Sequence, residues 1–260
     1  MNKPKENQIY DLCCELFPIN RSITGAGVRE TLSILQRELP DFNIREIPSG
    51  TNCFDWIIPD EWNIKDAYII DPDGNKIIDF KENNLHVVGY STPIDLTLSL
   101  DELKNKLYSL PDQPTAIPYI TSYYERDWGF CISEEQKKNL KNGNYRVFID
   151  SEFTNGVMNY GELFLDGSST DEVFLSTYIC HPSMANNELS GILTICDLIS
   201  NLKKSYYSIK ILLIPETIGA IYVLESQKHF LKNKLIAGIN LTCTGLSGPY
   251  TKISTINENT

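Results

Sequence analysis

Two predominantly apolar runs, each closed by a polar cluster, set the strongest limit on how this chain can fold. Residues 173–179 lead into Cys180, His181 and Pro182, and residues 209–214 lead into Pro215, Glu216, Thr217, Ile218 and Gly219. Between them lie a polar loop, Met184 to Glu188, and a helix that opens at Leu189, Ser190 and Gly191 and stays apolar through Ile199. Strands covered on both faces read as continuous apolar runs rather than as alternation. Strand, helix, strand in this order predicts a parallel pair, and in an open α/β sheet the polar residues just past the strand C-termini collect on one rim. His181 and Glu216 are therefore expected to share that rim.

The rest of the chain can be placed around this unit. Ile9, Leu12, Cys13, Leu16 and Phe17 recur at helical spacing over 7–17, and Pro18 ends that helix. Asn20 to Gly27 form a shaped loop rich in glycine and hydroxyls, followed by a helix over 28–39. Arg21 in that loop is a candidate substrate anchor through an anionic group, with a salt bridge that fixes the loop as the rival reading. From Asn43 the rhythm turns to short strands (43–47, 54–58, 67–70, 76–80, 85–90), with a hairpin signal at Asp71 to Asn75. Ser99, ahead of Glu102, is the expected N-cap of a helix within 98–107, and a further helix is expected over 133–140. Strands at 145–149 and 161–165 then feed the strand that ends at His181. These patterns predict an α/β protein: a three-layer αβα sheet from residues 1–42 and 141–260, carrying an inserted β-rich lobe over 43–140.

Several functions are excluded early. The net charge of -11, with no Lys/Arg cluster, argues against nucleic acid as partner. The N-terminus lacks the apolar run of a signal peptide and no stretch approaches the ~18 apolar residues of a membrane span, so no membrane partner and a cytoplasmic location are expected. The seven cysteines include no CxxC pair, which fits small buried side chains better than a disulfide framework or a zinc knuckle.

His181 and Glu216 are of the residue types that a hydrolase site requires at such a rim. A zinc hydrolase needs His and carboxylate ligands from separate strand ends, an open position for water, and a carboxylate that takes the water's proton. The order strand, His181, loop, small-residue helix start, strand, Glu216, Gly219 resembles the co-catalytic zinc aminopeptidase superfamily that includes leucyl aminopeptidase and glutamate carboxypeptidase. A closer resemblance is to the aminopeptidase-like proteins of bacterial polysaccharide-biosynthesis gene clusters. It is carried by Leu16 to Gly25, Tyr178 to Gly191 and Pro215 to Gly219.

The resemblance implies roles by position. His181 falls on the first metal ligand and Glu216 on the general base, while Asn187, Thr217 and Thr242 fall where further carboxylate ligands are expected. A final histidine ligand would lie past Thr260, and members of the subgroup continue further, so a C-terminally short chain is expected. The resemblance thus implies at most one zinc ion, at His181 with Asn187 and Glu188, Glu216 as catalytic base, and Arg21, Asn186 and Ser190 as substrate-binding residues. A small-molecule or peptide substrate is the expected partner, and self-association into a homo-oligomer stays open.

Two rivals accompany the hydrolase. One is an inactive relative that keeps the pocket and binds an amino-sugar or peptide ligand. The other is a thiol hydrolase using Cys180 with His181, disfavoured because neighbouring residues on a strand point to opposite faces.

Overall fold

The computed structural model describes residues 5–39 and 41–247. Residues 1–4, 40 and 248–260 lie outside the described residues.

The main sheet has five strands in the order 43–48, 157–165, 207–214, 169–178, 235–240. The last three run parallel, joined by the crossover helices Ser190–Asn201 and Ile218–Ser226, whereas Asn43–Pro48 and Val157–Leu165 are antiparallel to their neighbours. Strand Tyr207–Ile214 explains the layering. Its Ile211 and Leu213 join one core, with the helices Lys5–Leu16, Ala26–Glu38 and Ser190–Asn201. Its Leu212 and Ile214 join the other, with Ile218, Val223, Trp62 and Tyr90. Consecutive apolar residues from Ile211 to Ile214 thus serve two faces, giving the αβα arrangement with one outer layer shared by the lobe.

The lobe is a four-stranded antiparallel sheet in the order 76–79, 61–70, 144–154, 94–99. Its core contains Ile69, Leu103, Phe130, Tyr145 and Val147. The hairpin expected at Asp71 is present: Asp71 Oδ1 accepts from the amides of Asp73 (2.9 Å) and Asn75 (2.8 Å). Ser99 and Glu102 form the expected capping box.

Sheet membership departs from the boundaries read at 43 and 140. Strand 43–48 pairs with Val157–Leu165 in the main sheet, and strand 144–154 pairs within the lobe. Alternation marks a strand but not its partner, which depends on distant chain. The strand expected at 85–90 is reduced to isolated bridges at Val87 and Gly89, and it opens on a 3-10 turn, Asn84–His86, where the Asn83 side chain accepts from the Leu85 amide (3.0 Å) and turns the chain. His86 is structural: it is buried, and its Nδ1 lies 2.8 Å from the Cys131 carbonyl. Trp62 is core as well, stacked on Tyr90 with its indole N–H donated to the Ser91 carbonyl.

Candidate metal and catalytic site

Tyr178 and Ile214 are register partners, and the Ile179 amide donates to the Ile214 carbonyl (3.1 Å), so the two chains leave the sheet side by side. The next residues meet at once. The Glu216 amide donates to Cys180 Sγ at 3.3 Å, and His181 Nε2 lies 2.8 Å from Glu216 Oε1. Thr217, at φ 57 and ψ -80, makes the sharp bend that returns Glu216 toward His181 before the helix Ile218–Ser226 begins.

The other imidazole nitrogen is fixed. His181 Nδ1 sits 2.8 Å from Asn187 Oδ1, which also accepts from the Tyr178 hydroxyl. An amide oxygen can only accept, so Nδ1 carries the proton and Nε2 faces Glu216. Although the 2.8 Å separation is short, Nε2 has no aligned hydrogen-bond partner and is almost fully buried. An imidazole lone pair and a carboxylate oxygen this close repel unless a proton or a cation is shared between them. Burial disfavours the charged imidazole, but Glu216, the Glu188 charge and the Asn187 hydrogen bond together hold its pKa above the usual value.

Fit to a metal follows from this donor set. Among the described residues, Cys180, His181 and Glu216 offer ligand atoms all within 4.8 Å of one another. Glu216 is about a third exposed, which leaves a way in from solvent. The residues therefore fit one cation, with His181 Nε2 and Glu216 as its nitrogen and oxygen donors.

Glu188 and Arg21 stand apart from it. The loop read as 184–188 is a π-type turn, Ala185–Leu189, which swings Glu188 inward. Its carboxylate accepts from the amides of Cys180 (2.7 Å) and His181, and from Arg21 Nε (2.7 Å). Arg21 also donates to the carbonyls of His181 (3.0 Å) and Leu16 (2.6 Å). Both side chains are fully buried, so this is a salt bridge that fixes the loop, the rival reading of Arg21. The pair holds the His181 backbone in place and does not face the cleft as substrate anchor or ligand.

The other expected residues are equally engaged. Ser190 Oγ donates to the Asn186 carbonyl (2.6 Å) and accepts from the Thr244 amide (2.9 Å), while Asn186 Oδ1 accepts from the Gly245 amide (2.9 Å). They lace the helix start to 242–245. Asn187 and Thr242 do meet: Thr242 Oγ1 donates to the Asn187 carbonyl (3.1 Å), and the Tyr178 hydroxyl lies 2.6 Å from Thr242 Oγ1 and 2.8 Å from the same carbonyl.

Sequence reasoning missed the aromatic walls. Tyr119 and Tyr178 each place a ring edgewise on His181, at 4.8 Å between centroids. Tyr119 is tied by its hydroxyl to Tyr123 (2.5 Å), which also lines a cavity of about 310 Å³ with Ile57, Ile58, Tyr124 and Phe153. Burial, with the Glu216 charge adding to it, pushes the Tyr124 hydroxyl up to about 12. A tyrosine-rich segment just after Pro118 was the only signal available for Tyr119.

The chain is similar to known proteins over nearly all of its length. It is 47% identical over 243 residues to a Clostridium acetobutylicum protein described as a polysaccharide biosynthesis protein with an aminopeptidase-like domain, covering 93% of this chain and 56% of the relative. A crystal structure of a protein from the same organism, described as a peptidase, superposes with a TM-score of 0.88 at 46% identity, covering 93% of this chain and 57% of that one. The chain thus spans a little over half the length of these relatives. More distant likenesses, to a zinc aminopeptidase of Bacillus subtilis (TM-score 0.55, 13% identity, 94% and 71% covered) and an M28 peptidase precursor of Shewanella amazonensis (0.57, 12%, 88% and 69%), show the fold. Over residues 10–260 the sequence matches the family described as "Domain of unknown function (DUF4910)", and the chain belongs to it.

Proposed function

We propose that this chain carries a one-cation hydrolytic site that cleaves a peptide or amide bond, with Glu216 as general base. The observation that carries this reading is the 2.8 Å approach of His181 Nε2 to Glu216 Oε1, out of hydrogen-bond line, in a nearly buried site. His181 Nε2 and Glu216 Oε1 would hold the cation, which leaves the second Glu216 oxygen as the base. When bound, zinc would lower the pKa of a water and polarise a carbonyl. The protein's own part is to keep the imidazole in one tautomer through Asn187, to exclude solvent with the Tyr119 and Tyr178 rings, and to take the water's proton on Glu216. The name of the Clostridium relative supports a surface-polysaccharide intermediate bearing an amide or peptide as the substrate.

One observation favours a second reading, an inactive relative that binds such a ligand without cleaving it. Asn187 and Thr242, where carboxylate ligands are expected, are neutral and closed on the Tyr178 hydroxyl. A single comparison separates the two. Purified protein is analysed for bound metal, and Glu216→Gln is compared with the parent on amino-acid amides. The hydrolase reading expects about one ion per chain and at least a hundredfold loss of kcat/KM. Metal far below stoichiometric, with no parent activity to lose, leaves the binding reading.

A further inference from the structure

Cys180 was set aside above because adjacent residues on a strand face opposite ways. The strand, however, ends at Tyr178. Past that point alternation no longer applies, and both Cys180 Sγ and His181 Nε2 reach Glu216, with all three ligand atoms within 4.8 Å of one another. The thiol is fully buried and accepts a hydrogen bond from the Glu216 amide, the kind of donor that steadies sulfur carrying negative charge. The second, independent sign is the nearly buried Nε2 left without an aligned partner.

We propose that Cys180 Sγ is a metal ligand, completing with His181 Nε2 and Glu216 a sulfur, nitrogen and oxygen site for one borderline or soft divalent cation. This rests on the one-cation reading above and adds the identity of its third donor. A tetrahedral ion, about 2.3 Å from sulfur and about 2.1 Å from nitrogen and oxygen, needs its donors roughly 3.3–3.7 Å apart, a small adjustment from the observed cluster. On binding, the S–H bond breaks and the sulfur–metal bond forms. The thiol proton leaves through the half-open Glu216 carboxylate to solvent, so one proton is released per ion and nothing is oxidised. A thiolate at this position offsets the carboxylates absent at Asn187, Thr217 and Thr242. It also shifts preference from manganese and magnesium toward zinc, cobalt and cadmium.

The test uses the full chain with the two exposed thiols removed (Cys14→Ser, Cys243→Ser), stripped of metal and loaded with Co²⁺. The expected result is a near-ultraviolet thiolate-to-cobalt charge-transfer band that is lost in His181→Gln and in Cys180→Ser. Cys180→Ser is expected to weaken Cd²⁺ binding by more than about a hundredfold, beyond what losing an outer partner costs, while Mn²⁺ binding stays within about threefold. Should Cys180→Ser fail to fold, X-ray absorption of the zinc-loaded parent decides, one sulfur among the nearest neighbours being expected. Cobalt bound in a His181-dependent way with no charge-transfer band, or zinc with no sulfur neighbour, overturns the Cys180 assignment and leaves the one-cation reading intact. Absence of any His181-dependent metal binding overturns both.

Discussion

Arg21 and Arg29 leave the same stretch of chain, and each ends on a distant carboxylate, yet the two junctions they make behave in opposite ways. Arg21 meets Glu188 in full burial beneath the His181 loop. Arg29 meets Glu61 at 2.6 Å where the lobe joins the helix Ala26–Glu38, with the arginine more than a third exposed. Burial lifts the Glu188 carboxyl above its ordinary range despite the pull of Arg21, His181 and the backbone amides. At Glu61 the Arg29 hydrogen bond outweighs burial and, with Asn63 and the Val157 amide, depresses the carboxyl to about 2. The same pairing of residue types thus makes a dry anchor at the site and a titratable staple at the lobe, and solvent access decides which.

The largest effect is expected at the dry junction. Arg21→Met removes the cation that offsets the burial of Glu188 and orphans the carbonyls of Leu16 and His181. Breaking such a pair costs about 3–5 kcal/mol, so urea unfolding should show a loss of that size. Adding Glu188→Gln keeps an acceptor for the Cys180 and His181 amides while removing the stranded charge, and should recover much of the loss. A cost below about 1 kcal/mol for Arg21→Met would mean that the pair anchors nothing, and the contrast with Arg29 would fall.

At the lobe the sign must be worked out. The folded-state pKa of Glu61 lies below its unfolded value, so its contribution is fully present above about 4.5 and is lost as the pH falls through about 2. Because Arg29 is partly solvated, the contribution is discounted to about 1–2 kcal/mol. Stability measured across pH 2–5 should fall on acidification in the parent and fall less in Glu61→Gln. Parallel curves for the two proteins would place the acid sensitivity elsewhere.

These junctions also mark where the sequence stops being readable. His181 and Glu216 were legible because each follows a predominantly apolar strand, a local pattern that points to both the parallel pair and the rim. The Ser99 cap and the Asp71 turn were legible for the same reason, since their hydrogen bonds close within a few residues. The Arg21–Glu188 contact was not: it joins residues far apart in the chain, and a buried arginine carries no composition signal that separates an anchor from a substrate contact. Strand 43–48 was found but put in the wrong sheet, because alternation is blind to the partner. Tyr119 reaches His181 only through the way the lobe folds back over the rim.

Glu216 is the third carboxylate in this comparison, and among the described residues no arginine holds it; the backbone does. Thr217 sits at φ 57 and ψ -80, the positive-φ γ-turn region that a β-branched residue enters only under strain. Such strain costs about 1–3 kcal/mol, while glycine, free to adopt the same angles, loses roughly 0.5–1 kcal/mol more in chain entropy on folding. Thr217→Gly is therefore expected to raise stability by about 1 kcal/mol, the smallest of these effects, read as a shift in the urea midpoint at constant m-value. The same change should loosen Glu216 against His181 Nε2, so metal affinity should drop as stability rises. If Thr217→Gly instead destabilises the fold with metal affinity unchanged, the turn is not strained and Glu216 is held by contacts other than its own backbone.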